Sequence, residues 1–435
     1  MDLTLVAAIS IICMVVLLFM GMNIGLAMML VGFLGYLYLT KNINAAIGLM
    51  RQAPVVQASN YNLSVIPLFV LMGNLAFRAG LSQGLFTAAD KWLSRLPGGL
   101  ACATIAACAG FGAISGSIIA TSATMGSVSI PEMRKYGYDD ALATGAISVG
   151  GTLGIMIPPS TPLIIYGIMA QASINRLFAA GVFPGILLAA LFIFVVVIQV
   201  KLNPNLAPST KRSTWKERFL SLKGLINVTL LFTLTLGGMF AGIFTVNEAA
   251  AVGVALAIVL TIVSHNFRFA SIYETLKESV LTTAMSFLII VGAAVFGNFL
   301  AISKMPMTLA AFISDLNVSR YVILSIVVLI YAFLGCIMDG IPMMMLTVPI
   351  FLPSLTALGF DPIWFGILLV VVLQLGAITP PVGMSCYVIA GVVKDVPLPT
   401  IFRGTMPYVP AVIIGIVILT AFPGITLWLP SALYR

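Results

Sequence analysis

The chain has 435 residues, of which 61% are hydrophobic and only 8% charged, with 21 lysines and arginines against 13 acids for a formal net charge of +8. Soluble domains carry about 25% charged residues, so this inventory excludes a water-facing globular surface and makes lipid the solvent for most of the chain. The positive balance does not point to nucleic acid, because the bases sit in short loops between apolar runs, where they orient a membrane protein.

From the N-terminus, apolar runs close to spanning length occupy 3–20, 24–39, 64–77, 141–169, 177–200, 225–243, 246–263, 281–302, 364–393 and 406–429. The first is predicted to be a membrane helix and not a cleaved signal, since Asp2 stands where a signal has a basic flank and no A-x-A site follows. Two further segments, about 99–131 and 321–355, are apolar but carry small and hydroxyl residues in one case, and Gly, Pro and Asp339 in the other. Backbone without internal pairing survives at membrane depth only inside protein or beside water, so both are predicted to be re-entrant hairpins. The five cysteines, Cys13, Cys102, Cys108, Cys336 and Cys386, show no C-x-x-C spacing and are expected to be small buried hydrophobes.

A repeat at an offset of 222 residues organises the chain: Phe111 matches Phe333, Pro131 matches Pro353, Gly137 matches Gly359, Asp139 matches Asp361, Gly154 matches Gly376, and Pro158-Pro159 matches Pro380-Pro381. Further upstream the offset drifts, pairing Gly73-Asn74 with Gly297-Asn298 and Gly21 with Gly242. Each copy reads as two helices, an amphipathic connector (41–59; 267–279), a third helix, a hairpin, a helix interrupted by Pro-Pro (about 141–170; about 364–393) and a last helix. An odd number of crossings per copy inverts the second against the first, an arrangement common in secondary transporters. The expected domains are residues 1–200 and 224–435 as inverted repeats, joined by a basic cytoplasmic linker at 201–223. With the N-terminus outside, fifteen of the 21 bases fall on the cytoplasmic side, in keeping with the positive-inside rule.

The hairpin at 111–124 reads Phe-Gly-Ala-Ile-Ser-Gly-Ser-Ile-Ile-Ala-Thr-Ser-Ala-Thr. Its glycines let backbone turn, and its hydroxyls offer oxygen ligands without permanent charge, which suits a hard, weakly bound cation; close helix packing is the alternative. The interrupted helix at 150–162, Gly-Gly-Thr-Leu-Gly-Ile-Met-Ile-Pro-Pro-Ser-Thr-Pro, and its twin at 376–383, Gly-Ala-Ile-Thr-Pro-Pro-Val-Gly, favour the binding reading. Proline removes amide donors, freeing carbonyls as ligands, while the next helix presents its amides; two such breaks at corresponding positions point to a midplane site. Asp339 lies within an apolar run, where a carboxylate costs roughly 2.5 to 3.5 kcal/mol. It should meet a cation, amides or water, or cap the hairpin bend. Glu248, just after a short connection, is either functional or a helix cap.

Taken together, Ser115-Gly116-Ser117 with Ala123-Thr124 downstream, Pro158-Pro159-Ser160, Met338-Asp339-Gly340 before Pro349, and Thr379-Pro380-Pro381-Val382-Gly383 resemble the large membrane subunit of tripartite ATP-independent periplasmic (TRAP) transporters over nearly the full length. The resemblance implies an all-α polytopic elevator-type transporter of the bacterial inner membrane, importing an organic anion with at least two sodium ions and no ATP. A periplasmic binding protein would deliver the anion, and a small TRAP membrane subunit is expected as a separate partner chain. By motif match, one sodium is expected at Ser115, Ser117, Gly151, Gly154 and Pro158, and another at Asp339, Gly340, Gly376, Thr379 and Gly383. Substrate is expected between them, near Thr124, Pro159, Ser160, Thr161 and Pro381. C4-dicarboxylates, sialic acid and other sugar acids all fit.

Rival classes lack their chemistry. No G-x-x-x-x-G-K-[ST] is present for an ATP-driven pump. An intramembrane serine protease needs a base near Ser115, but the only histidine, His265, lies in the other half, and an aspartyl protease needs a partner for Asp339. A channel fits paired hairpins and broken helices less well than alternating access does.

Overall fold

The computed structural model describes residues 3–208, 213–263, 269–315 and 318–434. His265, Lys211, Arg212 and Arg268 lie outside the described residues. All the described regular elements are helical: α1 (Leu3–Phe19), α2 (Ile24–Thr40), α3 (Ile43–Ala58), α4 (Val65–Arg78), α5 (Leu81–Leu93), α6 (Gly99–Ser115), α7 (Ile118–Lys135), α8 (Asp140–Thr152), α9 (Thr161–Met169) and α10 (Ile174–Leu202) precede the linker. After it come α11 (Trp215–Ser221), α12 (Ile226–Phe232), α13 (Gly238–Phe240), α14 (Val246–Val263), α15 (Phe269–Ser303), α16 (Met305–Asp315), α17 (Arg320–Gly335), α18 (Gly340–Ala357), α19 (Pro362–Ile378), α20 (Met384–Val392), α21 (Leu398–Thr405), α22 (Val409–Ala421) and α23 (Gly424–Leu433). Seven of the described helical stretches are long and apolar enough to cross a membrane.

Local chemistry sets many of the boundaries. Asparagine and aspartate side chains accept from the first free amides of α2 (Asn23), α3 (Asn42), α8 (Asp139) and α19 (Asp361). Helix α6 stops at Gly116, which has φ +61°, and α8 gives way to a Pro158-Pro159 segment before α9. In the second half, α19 ends at Thr379 and the chain passes Pro380-Pro381 and Gly383 (φ +50°) into α20. Both Pro-Pro bonds are cis.

Several features differ from the sequence reading. The second connector, expected at 267–279, is not a separate element over its described part: it runs straight into the following crossing as the 35-residue α15. Nothing between the two interrupts the helical ladder, and Glu274, Lys277 and Glu278 are good helix formers. Helices α5 and α16, one in each half between the third crossing and the hairpin, were not foreseen; Leu81, Leu85 and Phe86 give α5 a buried face at helical spacing. The linker is not plain loop either, because α11 forms within it behind a Thr214–Glu217 capping box and continues into the apolar stretch Trp215–Phe240. Of the cysteines, Cys102, Cys108 and Cys386 are buried, but Cys13 is exposed on α1 and Cys336 is only half-buried. Glu248 closes a capping box with Thr245, accepting from the Thr245 amide at 2.8 Å, which is the structural of its two readings.

Small residues govern the packing. Gly25 and Gly32 on α2 face α15 so closely that a methyl at Gly25 would come within 2.7 Å of the Leu288 carbonyl, and one at Gly32 within 2.8 Å of Phe296 Cα. Helices α8 and α21 cross at Gly145 and Gly404, where a methyl on Gly145 would lie 2.8 Å from Gly404 Cα. At one end of the bundle Arg134 of α7 joins three segments: Nε and Nη2 hold the Asp140 carboxylate of α8 at 2.7 and 3.1 Å, and Nη1 holds Asp395, before α21, at 2.7 Å.

Gly145→Ala is expected to lower stability by about 1 to 3 kcal/mol, because backbone on both sides of the crossing leaves no room to relax. Gly48→Ala, where a methyl meets nothing within 4 Å, should be neutral or slightly stabilising; thermal unfolding of the two purified variants gives the comparison.

The hydrogen bond from Arg134 holds the Asp395 carboxyl below the ordinary carboxylate value. A depressed folded pKa contributes stability that is present above the unfolded value near 3.8 and is lost as pH falls through the folded value. The melting temperature should therefore drop on acidification below about pH 4, and Asp395→Asn should flatten that fall by a small amount, since the pair is largely solvent-exposed.

Candidate functional site

Four helix interruptions meet around one cavity of about 500 Å³. The turn between α6 and α7 contributes Ser115, Gly116 and Ser117; the turn between α17 and α18 contributes Met338, Asp339 and Gly340; Thr161 and Val382 come from the two proline breaks. The opposite wall is α4 and α15, with Asn74, Glu278, Thr282 and Ser286. Asn74 Nδ2 donates to Ser279 Oγ at 2.9 Å, tying α4 to α15 beside the cavity. No lysine, arginine or histidine is among the described lining residues, whereas Asp339 and Glu278 are both carboxylates. Arg78 lies 3.6 Å from both Glu274 and Glu278.

The first turn is built on oxygen atoms. Ser115 Oγ and Thr121 Oγ1 are 2.7 Å apart, and Ser117 Oγ accepts from the Ala120 amide at 3.4 Å, capping α7. Gly154 faces this group: a methyl there would lie 2.7 Å from Thr121 Oγ1 and 2.9 Å from the Ser117 carbonyl oxygen. A methyl at Gly151 would collide with Ser122 Oγ, and one at Gly112 would lie 2.5 Å from Gly154 Cα. Only glycine at these positions lets the interrupted helix approach the turn, and the approach gathers two hydroxyls and a carbonyl oxygen about one point. Such a neutral oxygen set suits a hard monovalent cation.

The second turn resembles the first in backbone and differs in donors. A methyl at Gly376 would lie 2.5 Å from the Gly335 carbonyl, so α17 and α19 touch as α6 and α8 do. The Val382 amide donates to the Cys336 carbonyl at 3.1 Å, and Cys336 Sγ lies 3.0 Å from Thr379 Oγ1. Thr379 is thus brought to Cys336. Asp339 caps α18 through its Oδ1, which accepts from the Gly340 amide at 2.7 Å, while also facing the cavity. Gly383 adopts the left-handed conformation against Phe402.

The residues expected around substrate are divided. Thr161 lines the cavity, with its amide donating to the Gly116 carbonyl at 3.4 Å. Pro158 and Pro159 are buried, and the Pro159 carbonyl packs against Gly116. Ser160 is fully buried; its hydroxyl donates to the Ile155 carbonyl and accepts from the Leu163 amide, capping α9 and turned from the cavity. Thr124 is buried in α7 outside the lining, and Pro381 is exposed. Sequence reasoning missed Thr121 and the α15 stripe. The first sits one turn after Ser117, and Glu278, Thr282 and Ser286 recur every fourth residue, so helical spacing carried both signals.

A buried polar bridge joins the two interrupted helices. Thr152 Oγ1 and Gln374 Oε1 lie 3.2 Å apart, both residues are fully buried, and their separation in sequence is 222. Nearby, Ser122 Oγ and Ser385 Oγ are 2.9 Å apart, and Ser385 donates to the Ser148 carbonyl at 2.6 Å.

The chain is an all-helical polytopic membrane protein with a cavity at paired helix breaks, and the family it matches makes it a transporter permease and not an enzyme. The family profile described as "Tripartite ATP-independent periplasmic transporter, DctM component" matches residues 11–425, and the chain belongs to that family of large permease subunits. It is 34% identical over 417 residues to the sialic acid TRAP transporter large permease SiaM of Vibrio cholerae, covering 95% of this chain and 96% of that one. It is also 34% identical over 375 residues to the C4-dicarboxylate large permease DctM of Pseudomonas aeruginosa, covering 86% and 87%. The ectoine/5-hydroxyectoine large permease UehC of Ruegeria pomeroyi is 30% identical over 426 residues, covering 97% and 98%. Among solved structures, the YdaH transporter of Alcanivorax borkumensis shares the fold, with a TM-score of 0.58 at 17% identity over 82% of this chain and 85% of that one.

If the glycine faces serve to admit the turn, Gly154→Ala should abolish transport while leaving insertion and yield intact. Equal uptake by Gly154→Ala and the parent in proteoliposomes would show that the close approach is dispensable.

Proposed function

We propose that this subunit imports a carboxylate-bearing organic anion across the bacterial inner membrane by sodium-coupled alternating access, with its two halves as inverted repeats and the hairpins and broken helices moving together as an elevator. The observation that carries the reading is the charge of the cavity. Of the two carboxylates in the described lining, Glu278 is paired with Arg78 while Asp339 has no base within ion-pair distance among the described residues. An organic anion would therefore enter beside that charge together with a cation, and the neutral oxygen set of the Ser115 and Thr121 hydroxyls and the Ser117 carbonyl, against Gly154, is the natural place for one. A second cation would sit at the other turn, near Asp339, Gly340, Gly376, Thr379 and Gly383. Amides at the starts of α9 and α20 would then face the substrate carboxylate. The tripartite family assigns two partners, a small membrane subunit and a periplasmic binding protein that delivers the substrate. Relatives named for sialic acid, C4-dicarboxylates, isethionate and ectoine leave the substrate of this chain to be read by assay.

The test is uptake into proteoliposomes holding both membrane subunits, with a panel of binding proteins and their ligands, and with sodium replaced by potassium. Uptake should require sodium, and Asp339→Asn or Ser115→Ala should raise the sodium concentration for half-maximal rate about tenfold or more, the effect of losing one charge-assisted or hydroxyl ligand. Uptake that is indifferent to sodium in the parent protein would remove the coupling. Unaltered sodium activation in both variants would return Asp339 to its capping role and Ser115 to a packing one.

A further inference from the structure

A second polar site lies away from the cavity, where the linker meets α5. Arg218 is 5% exposed, yet its Nε and Nη2 have no hydrogen-bond partner among the described residues. No carboxylate among them comes within ion-pair distance of Arg218 or of Arg95. Both guanidiniums lie against one indole, with the Arg218 Cζ 5.0 Å and the Arg95 Cζ 5.4 Å from the Trp215 ring centroid. Two like charges held by one ring repel, and a buried guanidinium with idle donors is costly unless an anion completes it.

The cluster is built and not incidental. Trp92 Nε1 donates to the Arg218 carbonyl at 3.2 Å, and Phe219 packs edge-on to Trp92 and stacks on Trp215. Ser94 and Ser213 hydroxyls meet at 3.3 Å, and a methyl at Gly84 would lie 2.5 Å from the Gly224 carbonyl. The nearest acid in sequence, Glu217, is engaged in the Thr214 capping box.

The position defines the ligand. Trp215 opens the apolar stretch Trp215–Phe240, which is long enough to span, so the cluster stands at the level where a span leaves the hydrocarbon. Trp215 and Phe219 are 57% and 61% exposed, aromatic surface suited to the boundary between acyl chain and headgroup. Basic pockets at this level take phospholipid phosphates, and planar guanidiniums match phosphate oxygens two at a time. We propose that Arg218 and Arg95, framed by Trp92, Trp215 and Phe219, form a binding site for the phosphate of an anionic phospholipid, which clamps the linker onto α5.

The full-length chain would be reconstituted in phosphatidylcholine nanodiscs with and without phosphatidylglycerol, its melting temperature measured, and its retained lipids counted by native mass spectrometry. Phosphatidylglycerol should stabilise the parent chain and remain bound, more weakly at high salt. Arg218→Gln should weaken retention roughly five-fold or more, about 1 kcal/mol per base at a membrane surface. Should Arg218→Gln fail to fold, Arg95→Gln, altered at an exposed position, should lose part of the same increment. Equal stabilisation by phosphatidylglycerol in parent and both variants overturns the site, as does parent behaviour identical in the two lipids. Stabilisation of the same size by inorganic phosphate in phosphatidylcholine alone would assign the pocket to a soluble phosphate and overturn the lipid assignment. Displacement of bound phosphatidylglycerol by the small membrane subunit would make the surface a protein interface instead.

Discussion

Backbone polar groups at membrane depth must be satisfied or enclosed, and the arrangement of this chain follows from how its four helix interruptions enclose one another. The free ends around Gly116 and Asp339 would be intolerable against lipid. Each is instead pressed against the proline break of its own half: Thr161 donates to the Gly116 carbonyl, and Val382 donates to the Cys336 carbonyl. The contacts are possible because glycine faces backbone at Gly112 and Gly154, and again at Gly335 and Gly376. Each turn and the proline break beside it therefore cannot part without exposing an unpaired amide and carbonyl.

The opposite wall of the cavity obeys a different logic. Helix α15 runs unbroken for 35 residues and lies along α2 through Gly25 and Gly32, so its ladder is complete and its polar stripe is free to face the cavity. Uninterrupted helices on one side and interrupted ones on the other give the cavity one wall that offers side chains and one that offers backbone. Glu278 and Asp339 stand on these two walls. Glu278 is paired with Arg78 on its own wall, whereas Asp339 has only the Gly340 amide, so the two carboxylates are compensated differently.

What was legible in the sequence was whatever glycine and proline dictate. Gly116, Pro158-Pro159, Pro380-Pro381 and Gly383 marked the breaks because glycine takes the left-handed turn at little cost and proline ends a helical ladder, and the spacing of apolar runs marked the crossings. The side chains that complete the site were harder to find. Ser160 reads like a ligand in a polar run, but a serine before a helix also caps it, and burial decided for the cap. Thr121, Thr282 and Ser286 look like ordinary helix-surface residues until the fold shows which face they occupy. Helix α15 was divided in the sequence reading because its polarity changes near residue 280, although polarity records the solvent and not the continuity of the hydrogen-bond ladder.

The two turns share backbone but not surroundings, and the difference bears on how one protein can hold two unlike occupants. Pro158 and Pro159 are buried beneath the first turn, whose oxygen set is closed by Gly154, while Pro380 and Pro381 are exposed and the second turn sets the Cys336 thiol against the Thr379 hydroxyl. Between them, Thr152 and Gln374 join the last turns of α8 and α19 in a fully buried contact. Thr152 Oγ1 already donates to the Val149 carbonyl at 2.7 Å, so its one proton is spent. The contact is satisfied if the Gln374 amide is turned to donate, an exchange of oxygen and nitrogen that heavy-atom positions do not distinguish. In that arrangement a shift of either interrupted helix end strains a bond the other half must share, because neither group has water to fall back on. With the Ser122–Ser385 and Ser385–Ser148 bonds beside it, the buried amide ties the enclosed turn to the open one.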